Sequence, residues 1–133
     1  MATMEDIARR WSEDVLGGGH VEVYDELVAE DAIDHSALPT QRPGIDGFKD
    51  RARMLHAAFG GPRVTVDDLI IQGDRMAWRW TMQGIHSAPL LGVEPTGRQI
   101  RMTGINIELV RDGRVIEHWS SPDLLGTLRQ IKD

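Results

Sequence analysis

Up to residue 59 the apolar positions recur at three- and four-residue steps, and from residue 63 onward they recur in twos. Thr3-Met4-Glu5-Asp6 has the form of a capping box, and Ile7, Trp11 and Val15 follow at helical spacing, which predicts a first helix ending at Gly17-Gly18-Gly19. "VEVYDELVAEDAI" puts Tyr24, Leu27 and Val28 on one side and acids on the other, which predicts a second helix. After the irregular "DHSALPTQRPG", the positions Ile45, Phe48, Ala52, Leu55 and Phe59 predict a third helix closed by Gly60-Gly61. Beyond Pro62, "RVTVDDLIIQ", "RMAWRWTMQGIH", "RQIRMTGINIELV" and "RVIEHWSS" alternate and are rich in branched and aromatic residues, which predicts four strands. Helices followed by strands indicate one α+β domain over residues 1–133, with helices on one face of an antiparallel sheet.

Side-chain direction can be read from "RDGR", because Asp112-Gly113 is a preferred pair for a two-residue type I′ hairpin. Pairing Arg111 with Arg114 sets Glu108 opposite Glu117, Ile107 opposite His118, Asn106 opposite Trp119 and Ile105 opposite Ser120. In that register Ile105, Ile107, Leu109, Ile116, His118 and Ser120 share the buried face, while Glu108, Glu117, Asn106, Trp119 and two valines lie on the other. Two opposed glutamates would repel in a dry interior, which favours this choice, and a bulge would break it. His118 then sits among apolar groups, either as a hydrogen-bonded core residue or as an acid/base group facing a cavity. The same parity turns Met76, Trp78, Trp80, Met82, Gly84 and His86 inward, as core or as the wall of a pocket for a flat apolar ligand. By local pattern alone Asp123 lies in the first turn of a helix, with Ser121 as cap and Pro122 at the first position, and Asp34-His35 marks a loop entrance.

Charge and composition narrow the partners. Fifteen basic against 21 acidic residues give a net charge of −6, with no basic run, which argues against nucleic acid and anionic membranes. No apolar run approaches the roughly 18 residues of a spanning helix, and the start lacks a signal-peptide pattern, so a cytoplasmic protein is expected. With no cysteine, disulfides, thiolate catalysis and Cys-based metal sites are excluded, and no His-x-His or His-Glu-x-x-His spacing points to another metal site. The outer sheet face, with Trp119 and Val110 beside charged residues, suggests a homodimer through the sheet unless arginines stack over it.

Several stretches together, "AEDAIDHSA", "PGIDGFKD", Gly84-Ile85-His86 with "LLGVEPTGR", and "DGRVIEHW" followed by Asp123, resemble the SnoaL-like polyketide cyclases of the nuclear-transport-factor-2-like superfamily, over nearly the whole chain. The resemblance implies a cone-shaped α+β fold in which three N-terminal helices close a strongly curved mixed or antiparallel sheet around a pocket. It implies cofactor-free, metal-free aldol ring closure of a small apolar or aromatic molecule. Asp123 matches the acid/base aspartate that follows the last strand's tryptophan, His118 would orient it or share its proton, and His35 and His86 would hold substrate carbonyls. Trp78, Trp80, Trp119, Ile105 and Ile107 are the candidate pocket walls. Because the superfamily also holds isomerases, hydrolases and proteins without demonstrated activity, a non-catalytic small-molecule binder or another reaction of the same fold remains an alternative.

Overall fold

The structure is a computed structural model and describes residues 2–132. Helix α1 (Met4–Arg10) starts at the expected capping box: the Thr3 hydroxyl accepts from the Asp6 N–H at 3.1 Å, and the Asp6 carboxylate accepts from the Thr3 N–H at 3.3 Å. The helix continues as a π-helical stretch, Trp11–Gly17, which keeps Ile7, Trp11 and Val15 buried. The second predicted helix is only a 3₁₀ turn (Val21–Val23) and one turn of α2 (Tyr24–Leu27). Its remainder is strand β1 (Val28–Asp34), which runs parallel to the last strand and pairs Asp34 with His118. Long-range pairing with an open sheet edge therefore overrides a local pattern that fits a helix.

Helix α3 (Gly44–Ala58) follows, then β2 (Arg63–Gln72), β3 (Arg75–Ile85), β4 (Gln99–Arg111), β5 (Arg114–Pro122) and α4 (Leu124–Ile131). The sheet order is β1-β5-β4-β3-β2, antiparallel except for the β1–β5 pair, and the helices lie against one face of it. The expected α+β layout holds, with five strands rather than four and a C-terminal helix capped by Asp123. No helix among the described residues is long and apolar enough to cross a membrane.

The β4–β5 turn is the expected one, with Asp112 and Gly113 at φ +53° and +76°. Two pairs later the register slips: Val110 faces Val115, but Leu109 faces Glu117, so Ile116 is an extra residue in β5. The bulge corrects the predicted faces. Glu108 now opposes His118 and Asn106 opposes Ser120, all four buried or half-buried on the inner side, while Ile105 and Ile107 point outward and are exposed. A one-residue shift inverts the partner's whole set of side chains. Val110, expected on the outer face, is buried.

Trp11 sits at the centre of the core, edge-on to Tyr24 and Phe48 and stacked on the His118 ring at 5.3 Å between centroids. On β4, Gly104 leaves room for the Trp80 ring: a methyl group there would lie 2.3 Å from it.

Candidate active site between the sheet and the helices

Two tryptophans of β3 form the floor of the site, and their N–H groups fix the polar residues beside them. Trp78 Nε1 donates to Glu108 Oε2 at 2.8 Å, and Trp80 Nε1 donates to Asn106 Oδ1 at 3.1 Å. Since an indole N–H only donates, the oxygen of Asn106 must face it, which turns the Asn106 amide NH₂ elsewhere. The other oxygen of Glu108 meets His118 Nδ1 at 2.5 Å. When the carboxylate is ionised it accepts from both neighbours, and a neutral imidazole then carries its hydrogen on Nδ1 and its lone pair on Nε2. Burial pushes the Glu108 carboxyl above its ordinary value, a shift that His118 and the Trp78 N–H oppose.

Trp78, Trp80, Asn106 and His118 open on a cavity of about 130 Å³, with Glu108 buried behind them. Trp11, Phe48, Trp78, Trp80, Met82 and Met102 make its apolar wall. Its polar members are His118, Asn106, Ser120, Tyr24, Asp34 and Arg51. Desolvation pushes the buried Tyr24 hydroxyl well above its ordinary pKa, so it stays a neutral donor. Asp34 accepts from the Ser36 N–H and from Gln41 Nε2, each at 2.8 Å, and its Oδ2 lies 3.5 Å from Arg51 Nη1. A wider groove of about 410 Å³ lies between α1 and the β4–β5 turn, but four of its charged residues pair with one another, Arg9 with Asp6 and Arg10 with Glu26. An apolar chamber with a few converging polar groups is the better binding site.

The expected site residues separate into two groups. His118, Trp78 and Trp80 line the cavity. Asp123 does not: it is exposed, and its carboxylate caps α4 by accepting from the Gly126 N–H at 2.9 Å. Ser121 is not that cap, and Pro122 ends β5 instead of starting the helix. His35 and Trp119 stack on each other at 4.5 Å on the outer sheet face, where His35 meets Glu117 at 2.8 Å and Arg75 covers the indole. Ile105 and Ile107 are on that face too, turned there by the β5 bulge. His86 is fully buried, and its Nδ1 accepts from the Thr96 N–H at 3.1 Å, so it anchors the β3–β4 loop instead of lining the cavity. Directly after Trp119, Ser120 lines the cavity.

Glu108, Asn106, Asp34, Tyr24 and Arg51 were not among the expected site residues. Asp34 was within reach, because Ala32 and Asp34 share a face once residues 28–34 are a strand. Glu108 left a trace as well, in the strain of two facing glutamates that the bulge resolves. Among the described residues no three His, Asp or Glu side chains converge to hold a metal ion.

Comparison with known proteins bears on this chamber. The sequence profile of the SnoaL-like polyketide cyclases matches residues 6–131. Aklanonic acid methyl ester cyclase DnrD of Streptomyces peucetius is 30% identical over 139 residues, which cover 98% of this chain and 92% of that protein. Nogalonic acid methyl ester cyclase of Streptomyces nogalater is 28% identical over 86% of this chain and 87% of its own length. Among solved structures, TsrD from Streptomyces laurentii superposes with a TM-score of 0.88 at 26% identity, covering 96% of this chain and 93% of that one. With the profile spanning both walls of the cavity and every element around it, the chain belongs to the SnoaL-like polyketide cyclase family.

Proposed function

We propose that the protein closes a ring of a polyketide by intramolecular aldol addition without a cofactor, with His118 as the base and Glu108 as the group that orients it. The observation that supports this reading is the Trp78–Glu108–His118 chain of hydrogen bonds ending at the cavity. Glu108 fixes the tautomer in which Nε2 is free to accept, and its negative charge stabilises the imidazolium that forms. His118 Nε2 removes a proton from the carbon between two carbonyls, and the resulting enolate oxygen is held by cavity donors, the Asn106 amide, the Tyr24 hydroxyl and the Arg51 guanidinium. The carbanion attacks a ketone carbon of the same molecule, one C–C bond forms, and the new alkoxide takes the proton from His118. Product and substrate have the same mass. The aromatic walls hold the chain folded for attack.

The names of the relatives suggest a methyl ester of an aromatic polyketide acid as substrate. Incubation with aklanonic acid methyl ester or nogalonic acid methyl ester is expected to give an isomer of unchanged mass and one more ring, resolved by chromatography. Recovery of both compounds unchanged would contradict the assignment. Asp123, the acid that the resemblance implies, lies outside the cavity, which favours a second reading, a binder without turnover. That reading predicts saturable binding of both esters and no product.

Arg75 stacks over Trp119 and Val110 is buried, so neither supports the expected dimer, and the outer face is proposed to pair with a second copy of the chain through its isoleucines instead. Ile70, Ile105 and Ile107 are all exposed there, and the register sets Ile107 beside Ala77, itself opposite Ile70. Light scattering at micromolar concentration is expected to give twice the chain mass, and Ile107→Lys to reduce it to the monomer. A monomeric wild type would refute the pairing.

A further inference from the structure

The cavity is small for a polycyclic ligand. Its volume, about 130 Å³, is close to the ~150 Å³ of an apolar protein cavity that takes a single benzene. Leu38, Met54, Leu91 and Leu124 line the same cavity and are nevertheless between 38% and 56% exposed. They come from four segments, the loop after β1, α3, the β3–β4 loop and the start of α4. Scattered exposed apolar side chains need no explanation, but four lining one cavity form an apolar rim.

Leu91 is held there against its own preference. Leu90 and Val93 exchange both backbone hydrogen bonds, at 3.0 and 2.9 Å, around Leu91 and Gly92 at φ +51° and +76°. This is a two-residue type I′ turn, in which Asn-Gly is the favoured pair and a leucine at the first position is strained. The loop is otherwise tied down by His86 and Thr96. A strained apolar side chain at the lip of a cavity is a side chain placed for contact.

We propose that Leu38, Met54, Leu91 and Leu124 form a collar that grips the part of the ligand projecting from a one-ring chamber. A ligand larger than one ring is accordingly inserted by one ring, with the reacting carbons inside and the remaining apolar body against these four side chains. This inference rests on the cavity being the binding site proposed above, and it adds which ligands the site selects.

Leu91→Asn separates contact from folding, because it creates the preferred Asn-Gly turn. The variant is expected to melt at the same or a higher temperature than wild type. Binding would be measured by fluorescence quenching of the cavity tryptophans with 2′-hydroxyacetophenone, a single ring, and 1-hydroxyanthraquinone, three fused rings. Wild type is expected to prefer the three-ring probe by at least about tenfold, the effect of roughly 60 Å² of additional apolar burial. Leu91→Asn, alone and with Leu124→Asn, is expected to erase most of that preference and leave single-ring affinity within about twofold. Equal affinity of wild type for the two probes, or equal losses for both in the variants, overturns the collar while leaving the cavity as a site. Binding of neither probe overturns both readings. A change in oligomeric mass caused by Leu91→Asn makes the rim a contact between copies and also overturns the proposal.

Discussion

Glu108→Gln is expected to lower kcat for ring closure by roughly 10²–10⁴-fold while leaving the protein folded. Glutamine fills the same space, and its carbonyl still accepts from Trp78. Its amide then donates toward His118 Nδ1, so the imidazole proton moves to Nε2 and the base is lost. KM should change little, because the apolar walls and the collar are untouched. The same substitution is expected to change the pH dependence of stability in a defined direction. The Glu108 carboxyl titrates above its ordinary value of 4.5 in the folded protein because it is buried. A group whose folded pKa is raised in this way favours folding in its protonated form, and that contribution is lost as pH rises through the interval above the ordinary value. The melting temperature of Glu108→Gln relative to wild type should therefore increase between pH 4 and pH 7. A flat difference would show that His118 and Trp78 offset the burial completely, and an unchanged kcat would remove Glu108 from the mechanism.

The largest stability effect is expected at Gly84→Ala, where the end of α3 rests directly on β3. A methyl group on Gly84 would lie 2.0 Å from the Phe59 carbonyl oxygen, which itself accepts from the Ile85 N–H at 3.1 Å. Both sides of that contact are backbone, so no rotamer change relieves it. A loss of about 3–5 kcal/mol is expected, a large part of a domain's total of roughly 5–15 kcal/mol. In thermal melts followed by circular dichroism this corresponds to a fall of roughly 10–20 °C. Gly73→Ala is the control: its φ is +59° but a methyl group there meets nothing within 4 Å, so only about 1 kcal/mol of backbone strain is expected. Equal melting temperatures for the two variants would mean that the α3–β3 contact is not close-packed.

What could be read from the sequence was what the chain decides locally. The capping box at Thr3, the Asp112-Gly113 turn and the inward stripe of Trp78 and Trp80 depend on neighbours a few residues away, and each is present. Strand β1 is decided by β5, more than 80 residues later in the chain, and a single turn of helix before it concealed the change of period. The bulge at Ile116 is decided by how β5 must bend, and nothing in "RVIEHW" announces an extra residue. That one residue sends Ile105 and Ile107 outward and brings Glu108 to His118. For Asp123 the local pattern, a residue at a helix start, matches the structure, where its carboxylate caps α4. His118 was legible because an imidazole among apolar neighbours needs a partner, although the partner came from the side judged to face outward.

Solvent deuterium exchange into the carbon between the carbonyls of a β-keto ester that cannot cyclise isolates the proton-transfer step from ring closure and from product release. Wild type is expected to accelerate this exchange, His118→Gln and Glu108→Gln to abolish the acceleration, and Asp123→Asn, which preserves the helix cap, to leave it intact. Full exchange in His118→Gln, or its loss in Asp123→Asn, would contradict the assignment of the base to the imidazole in the cavity.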